Sequence, residues 1–355
     1  MVRSYNLCIR CLQGSAPSTT SSTRAPSTTR VSSTARTSTR TSSTTVATAT
    51  RTFKNPLKAT NGSDPYMVYS NGYYYLMTTT WTNLQLSRGK TLAELKASTP
   101  KVIWSDSTAS RCCNLWAPEI HSISGVWYIY YTAGANGDDG SQRIHVLKAS
   151  ASDLWASTWS YAGRIAFPNK DDWSIDASVL TINGLNYLVY STQDGGEQCL
   201  FIARLTSPTT VGNTSVLSRP KLSWEREEWY VNEGPVALYH GGRTWIVYSA
   251  SFCWGSGYKL GRLEYIGGDP LSQSSWSKYG QPILTSANGN YQPGHNGFFN
   301  TPGGQTWIVF HANSVTPGSC DGNRFTMAQP IGWNTDGTPA LSPPAPLSQS
   351  IPEPV

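Results

Sequence analysis

Long apolar segments are missing from this sequence: no run of 18 or more apolar residues occurs, so no membrane span is expected. Helical periodicity is nearly absent as well, and only TLAELKAS at 91–98 predicts a turn or two of helix. The five cysteines after residue 52 never form a CxxC spacing, which argues against structural zinc. Their pairing cannot be assigned from the sequence, although the adjacent Cys112 and Cys113 are able to bridge each other.

The excess of basic charge is confined to the start of the chain. The formal net charge is +6, but residues 1–52 carry seven Arg and no acidic residue. The remainder therefore has 20 basic and 21 acidic residues, and it shows no basic patch. A nucleic-acid partner, which a basic protein would otherwise suggest, is not expected.

A Ser/Thr-rich segment occupies residues 15–52, where these two residue types fill 24 of 38 positions. Such a composition cannot bury a core, so we predict a disordered linker, either O-glycosylated or an undecorated flexible leader. Residues 1–14, MVRSYNLCIRCLQG, do not match the pattern of a secretory signal, because Arg10 interrupts their short apolar run. Their ending resembles the last turn of a fungal family 1 cellulose-binding module, and we expect a remnant of such a module. Sequons at Asn61 and Asn213 fit a secreted, extracellular glycoprotein.

The region after residue 52 repeats one motif five times. Each copy is a Gly turn followed by an aromatic and β-branched strand: NGYYYLM at Gly72, SGVWYIYY at Gly125, NGLNYLVY at Gly184, GGRTWIVY at Gly242 and GGQTWIVF at Gly304. A short strand precedes each turn, so every copy predicts a hairpin. The glycines are 53, 59, 58 and 62 residues apart, and a hairpin recurring at a long period is typical of a propeller. Residues 53–355 are therefore predicted to form an all-β, five-bladed β-propeller.

Acidic residues recur eight or nine positions before these turns. They are Asp64 in the first copy, Asp176 in the third and Glu233 in the fourth, while His295 and Trp116 stand there in the fifth and second. In a propeller the first strand of each blade lines the central channel, so equivalent residues of different blades meet at one axial pocket. The sequence therefore predicts a site containing three carboxylates and a histidine.

The aromatic residues, which include 14 Trp and 19 Tyr, suit a protein that binds sugars. Trp127, Trp245 and Trp307 lie on second strands, where we expect them to pack between blades. Trp116 lies at the channel end of a first strand, and we expect it to contact a substrate.

Three converging carboxylates suit glycoside hydrolysis. This reaction needs one carboxylic acid that protonates the leaving oxygen and one carboxylate that activates water or attacks the sugar. Burial or a neighbouring negative charge keeps the acid protonated. A third carboxylate provides that charge and orients the acid.

The phrases SDPYM, WAPEIH, IDASV and NEGPV, in this order, resemble glycoside hydrolase family 43. The similarity extends over residues 53–345 and includes CDGNR at 320–324 and NTDGTP at 334–339. YKLG at 258–261 and PGHN at 293–296 resemble the branch of exo-acting 1,5-α-L-arabinofuranosidases, here of the fungal, secreted kind. The resemblance implies a five-bladed propeller that cleaves α-L-arabinofuranosides or β-D-xylosides with inversion.

The resemblance also implies a role for each site residue. Asp64 corresponds to the general base, Glu233 to the general acid, and Asp176 to the residue that tunes and orients the acid. His295 corresponds to an axial histidine near which relatives hold a calcium ion through waters, and Arg324 to an arginine that contacts the terminal sugar. Because inversion leaves room for a water, the carboxyl groups of Asp64 and Glu233 should lie about 6.5–9.5 Å apart.

Several alternatives remain open at this stage. A β-xylosidase of the same family and a non-catalytic carbohydrate-binding propeller share the expected fold. The arginine triad of sialidases and the short motifs of fructan hydrolases are not found. We expect a monomer that needs no cofactor and acts on plant cell-wall polysaccharide, either arabinan or arabinoxylan.

Overall fold

The structure is a computed structural model that describes residues 51–355. The predicted module remnant at 1–14 and all but the last two residues of the predicted linker lie outside the described residues. Within this part, no helix has the length and apolar character needed to cross a membrane.

Five antiparallel sheets follow one another along the chain, after β1 (Thr52–Phe53). Blade one contains β2 (Tyr66–Ser70), β3 (Tyr73–Met77), β4 (Leu84–Gly89) and β5 (Lys101–Trp104). Blade two contains β6 (Cys113–Ile123), β7 (Val126–Ala135), β8 (Asp138–Ala149) and β9 (Trp159–Arg164). Blade three contains β10 (Ser174–Ile182), β11 (Leu185–Asp194), β12 (Glu197–Ser207) and β13 (Thr210–Ser218).

The last two blades complete the ring. Blade four contains β14 (Asn232–His240), β15 (Arg243–Ala250), β16 (Lys259–Tyr265) and β17 (Trp276–Lys278). Blade five contains β18 (Tyr291–Asn300), β19 (Thr306–Asn313) and β20 (Phe325–Pro330). The chain then forms β21 (Gly332–Trp333), β22 (Pro339–Ala340) and β23 (Ile351–Pro352). The helical segments are α1 (Leu92–Ala97) and two 3₁₀ turns at Ser223–Glu225 and Gln273–Ser275. The prediction of a five-bladed propeller is confirmed.

The five predicted hairpins are present, and each turns at the expected glycine. These glycines have φ values of 82, 78, 73, 76 and 80° at Gly72, Gly125, Gly184, Gly242 and Gly304. A side chain is strained in this left-handed region, so glycine is the residue suited to these turns. The helix expected at 91–98 is also present, with the Thr91 side chain accepting the backbone N–H of Glu94.

The core is divided into five apolar clusters, one between each pair of neighbouring blades. Trp245 lies in the cluster between blades four and five, and Trp307 in the one between blades five and one. Trp127 is partly buried against the cluster between blades one and two. The expectation that these three tryptophans pack between blades is confirmed.

The first strands of the blades contact one another in a ring, and the ladders of blades two to five are interrupted near their starts. In every blade, one residue with positive φ lies two positions before the point where the first strand begins, or resumes, its regular pairing with the second strand. These residues are Asp64, Ala117, Asp176, Gly234 and His295. Such a bulge re-aims the neighbouring side chains and is common beside active sites. This fivefold feature positions the residues of the candidate site.

Blade five is completed by the opposite end of the folded region. Leu57 donates its N–H to Thr326 (2.8 Å), and Thr326 donates its own to Lys58 (2.9 Å), so residues 57–58 pair with β20. The side chain of Asn55 adds two hydrogen bonds of 3.0 Å to the backbone of Ala328. β1 pairs with β23, which places Thr52 in a strand rather than in the predicted linker, because its backbone pairs with Pro352.

Two disulfides are present in the described region. Cys112 bridges the adjacent Cys113, and Cys253 bridges Cys320 across blades four and five. Cys199 is buried and unpaired.

Candidate active site

One pocket collects all the residues singled out from the sequence. It has a volume of about 350 Å³ and is formed by the starts of the first strands and the loops after the second strands. Its lining includes Asp64, Trp116, Asp176, Glu233, His295 and Arg324. These residues come from all five blades, so the convergence depends on the closed ring.

Asp64 is the most heavily paired carboxylate of the pocket. Arg324 Nη1 donates to its Oδ1 (2.9 Å), and Thr79 Oγ1 donates to its Oδ2 (2.6 Å). Burial alone would raise the pKa of Asp64, but the positive charge of Arg324, with a smaller contribution from His295, holds it well below its usual range. Asp64 therefore stays ionised throughout the neutral and mildly acidic range.

The two histidines beside Asp64 differ in charge. His311 Nδ1 lies 3.3 Å from Asp64 Oδ1, but it also accepts the backbone N–H of Asp64 (3.1 Å), so this nitrogen carries no proton. Burial and the nearby Arg324 lower the pKa of His311 to about 3, and it is neutral. His295 Nδ1 lies 3.4 Å from the same oxygen. Burial lowers the pKa of His295, yet the negative charges of the carboxylates outweigh this and raise it, which favours the protonated form.

Asp176 and Glu233 form a coupled pair that retains a proton. Burial raises the pKa of Asp176 to about 7, helped by the charge of Glu233, while Gly234 donates its N–H to Asp176 Oδ2 (3.0 Å). Burial also raises the pKa of Glu233. Tyr258 Oη donates to Glu233 Oε1 (2.7 Å) and Gln198 Nε2 to Oε2 (2.8 Å), and both bonds oppose that rise. The pair supplies the protonated carboxyl group that acid catalysis needs.

The carboxylates do not share one register, contrary to the expectation from their spacing. Asp64 and Asp176 occupy the positive-φ position of their blades, but Gly234 occupies it in blade four. Glu233 stands one residue earlier and pairs with Ser249 in the ladder. Because side chains alternate along a strand, this offset gives Glu233 an approach to the pocket different from that of Asp176.

Several residues of the site were not singled out from the sequence. Thr79, Gln198, Tyr258 and His311 lie on second or third strands or in the loops beside them, outside the repeated first-strand motif. Tyr258 begins the YKLG phrase, which was the available signal. Its ring stacks on that of His311 (centroids 5.7 Å apart), and a Cβ on Gly294 would lie 2.1 Å from its Cε1. Position 294 therefore accepts only glycine while Tyr258 stays in place.

Aromatic side chains surround the carboxylates. Trp116 lies in the pocket wall as expected, and Trp81, Trp173, Phe252 and Trp254 join it. Flat aromatic faces of this kind fit the apolar faces of a sugar ring.

The predicted calcium ion near His295 has no directly coordinating cage in residues 51–355. No group of three or more His, Cys, Asp or Glu side chains there is arranged to hold a metal ion. Calcium takes six to eight oxygen ligands, whereas His295 offers nitrogen and its raised pKa favours a positive charge. These residues do not fit a directly bound calcium, and an ion held through waters stays a prediction.

Comparison with known proteins identifies the family. The model of glycosyl hydrolases family 43 matches residues 53–339. This chain belongs to glycosyl hydrolase family 43. The family predicted from the sequence is thereby confirmed.

Several proteins similar to this chain have names that state an activity. An extracellular exo-alpha-(1->5)-L-arabinofuranosidase of Streptomyces avermitilis is 36% identical over 304 residues, which are 81% of this chain and 63% of that protein. Alpha-L-arabinofuranosidase 43 of Humicola insolens is 35% identical over 301 residues, 80% of this chain and 62% of that protein. The crystal structure of an alpha-L-arabinofuranosidase from Lactobacillus brevis has a TM-score of 0.77 and 31% identity, covering 84% of this chain and 98% of that one. The family 43 chain therefore spans less than two thirds of the two curated relatives.

Proposed function

We propose that this chain is an inverting, exo-acting α-L-arabinofuranosidase that releases terminal L-arabinofuranose from arabinan and other arabinose-containing plant polysaccharides. The observation that carries the proposal is the opposite protonation of its carboxylates within one pocket. Asp64 is held ionised, whereas the pair of Asp176 and Glu233 retains a proton. Two carboxyl groups with separated pKa values are what an acid and base pair requires.

Asp64 is proposed to act as the general base. It would accept a proton from a water on the face of the sugar opposite the leaving group, while the water oxygen bonds to the anomeric carbon. Its second oxygen is fixed by Thr79, whose hydroxyl in turn accepts the backbone N–H of Ala117 (2.8 Å). Such fixed partners hold a catalytic group in its working geometry.

Glu233 is proposed to act as the general acid. It would give its proton to the glycosidic oxygen as the bond to the anomeric carbon breaks, which inverts the configuration in one step. Asp176, whose carboxyl group is oriented by the N–H of Gly234, would share this proton with Glu233. When the proton is on Glu233, Asp176 is ionised, and its charge would help to keep the proton there. The separation of the Asp64 and Glu233 carboxyl groups stays a prediction at about 6.5–9.5 Å.

The pocket supports terminal rather than internal cleavage. A volume of about 350 Å³ lies near the lower end of small-ligand sites and suits one sugar unit better than a polymer passing through. Arg324 and Trp116 line it beside Asp64, where they are proposed to contact that terminal sugar. The names of the relatives agree with this choice of sugar.

Secretion and glycosylation belong to the same proposal. The two disulfides suit an oxidising compartment, and one of the relatives is named extracellular. Asn61 and Asn213, which begin the two sequons, are both exposed. That the protein is a monomer stays a prediction, for which the elution volume in size-exclusion chromatography is the test.

We also propose that hydrolysis needs no cofactor. Arg324 and the positively charged His295 already balance the charge of Asp64, so a bound metal cation is not needed to neutralise this carboxylate. Dialysis against EDTA should therefore leave turnover unchanged, and a loss that calcium restores would show that an ion is required.

The decisive experiment compares 4-nitrophenyl α-L-arabinofuranoside with 4-nitrophenyl β-D-xyloside. We expect hydrolysis of the arabinoside, and proton NMR of the first product should show the inverted anomer. Faster hydrolysis of the xyloside would identify a β-xylosidase instead. Hydrolysis of neither substrate, together with binding of arabinan, would favour a non-catalytic carbohydrate-binding propeller.

A further inference from the structure

A second concave surface continues outward from the pocket between blades three and four. It has a volume of about 710 Å³ and is lined mainly by residues 226–231, the segment that leads into β14. Gln198 and Phe252 line both this surface and the pocket. The two spaces are therefore adjacent, and we refer to the outer one as the Trp229 groove.

The position of the groove relative to Glu233 gives it a direction. Gln198, which forms part of the wall between the groove and the pocket, donates its side-chain N–H to Glu233 Oε2 at 2.8 Å. Glu233 is the group proposed to protonate the leaving oxygen. The groove therefore begins on the side from which the leaving portion of the substrate extends.

The lining of the groove has the chemistry of a sugar-binding surface. Trp229 is 65% exposed, and its ring centroid lies 5.7 Å from that of Phe252. Tyr230 is 45% exposed and carries the guanidinium of Arg226 3.8 Å above its ring. A contiguous group of exposed aromatic residues with a polar rim is typical of ligand-binding grooves and other interaction sites. Glu227, also in the lining, accepts a hydrogen bond from Lys259 at Oε1 (2.7 Å), and its other oxygen is able to accept hydrogen bonds from sugar hydroxyls.

The groove is held in shape by an adjacent loop. Glu228 Oε1 accepts the backbone N–H groups of Ser256 (2.8 Å) and Gly257 (2.9 Å), which ties residues 226–231 to the loop after β15. The disulfide between Cys253 and Cys320 fixes the same loop to blade five. A surface ordered before binding loses little conformational entropy when a ligand settles on it.

We propose that the Trp229 groove binds the polysaccharide chain on the leaving-group side of the cleaved bond. Its occupant is the run of sugar units beyond the terminal arabinofuranose, with one unit stacked on Trp229. This assignment rests on the proposed function, since the direction of the groove follows from the role of Glu233. It makes the enzyme selective for oligomers and polymers over single glycosides.

The test compares linear α-1,5-arabino-oligosaccharides with 4-nitrophenyl α-L-arabinofuranoside, which has a single nitrophenyl ring in place of the further sugar units. In Trp229→Ala, kcat/KM for the oligosaccharide should fall about tenfold relative to that for the nitrophenyl glycoside, mainly through KM. Trp229→Phe keeps a smaller ring and should lose less. Tyr279→Ala is the matched control, because Tyr279 is 44% exposed, pairs with Arg262 (4.5 Å) and lines neither space.

The outcomes separate the two proposals. If the parent enzyme releases arabinose from neither the nitrophenyl arabinoside nor the oligosaccharides, the proposed function fails and the groove assignment falls with it. If the parent is active but Trp229→Ala leaves the ratio of the two kcat/KM values unchanged, only the groove assignment is wrong. An equal change in Tyr279→Ala would also refute it. Thermal melting of each variant shows whether it is folded.

Discussion

The hydrogen bond from Tyr258 to Glu233 offers a direct test of how the acid is tuned. Its hydroxyl donates to Glu233 Oε1 at 2.7 Å and so stabilises the ionised carboxylate. Tyr258→Phe removes this donor while keeping the ring that stacks on His311. The pKa of Glu233 should therefore rise. Because the acid works only when protonated, activity should persist to higher pH.

The size of the shift follows from the strength of the bond. A hydrogen bond to a charged group contributes about 1.5–3 kcal/mol, and one pKa unit corresponds to about 1.4 kcal/mol. Gln198 still donates to the other oxygen, and Asp176 shares the proton, so the lower end applies. We expect the alkaline limb of the kcat/KM profile to move up by about one pH unit.

The assay is a pH profile of kcat/KM with the nitrophenyl arabinoside for the parent and two variants. Tyr248→Phe is the matched control, because Tyr248 donates to Glu225 Oε1 at the same 2.7 Å but does not line the pocket. It should lower the melting temperature and leave the profile in place. An alkaline limb that stays in place in Tyr258→Phe, or moves to lower pH, would refute the reasoning.

Three further predictions concern the carboxylates and the second disulfide. Asp64→Asn and Glu233→Gln should each lower kcat by about 10²–10⁴-fold in folded protein, and nearly full activity in either would contradict the assigned roles. Asp176→Asn removes the carboxyl group that is ionised when the shared proton is on Glu233. The pKa of the acid should therefore fall and the alkaline limb should move to lower pH, and a shift upward would exclude this tuning role. Replacing Cys253 and Cys320 together by alanine removes a disulfide between residues 67 positions apart. The free energy of unfolding, measured in urea, should fall by up to about 4 kcal/mol, and an unchanged value would show that the disulfide adds no stability.

The fold was predictable because its signal is periodic and local. Each blade repeats a glycine with positive φ at its hairpin turn, as at Gly72 and Gly304. Such a turn is recognisable from the few residues around the glycine, without information from distant parts of the chain. The ring closure was not predictable in this way. Residues 55–58 include Pro56 and show no alternation of polar and apolar residues, so their sequence does not predict a strand. Their pairing with β20 depends on the distant residues of blade five.

The candidate site was predictable where it follows the same period. Asp64 and Asp176 occupy equivalent positions, so the repeat revealed them. Tyr258 and Gln198 approach Glu233 from other strands, and no spacing relates them to it. Glu233 precedes its turn by nine residues, whereas Asp64 and Asp176 precede theirs by eight. This count does not reveal the offset, because His295 also precedes its turn by nine residues and still occupies the shared position.

The link between the two ends of the propeller has a consequence for biosynthesis. Asp64 is met by Arg324, which lies 260 residues later in the chain. During translation, nearly the whole domain must therefore be synthesised before the carboxylate of Asp64 can pair with the guanidinium of Arg324. A prematurely terminated product that lacks Arg324 would have to bury this anion without the guanidinium that bonds to it, which favours protonation of Asp64. The full charge pattern of the pocket thus arises only in a completed chain.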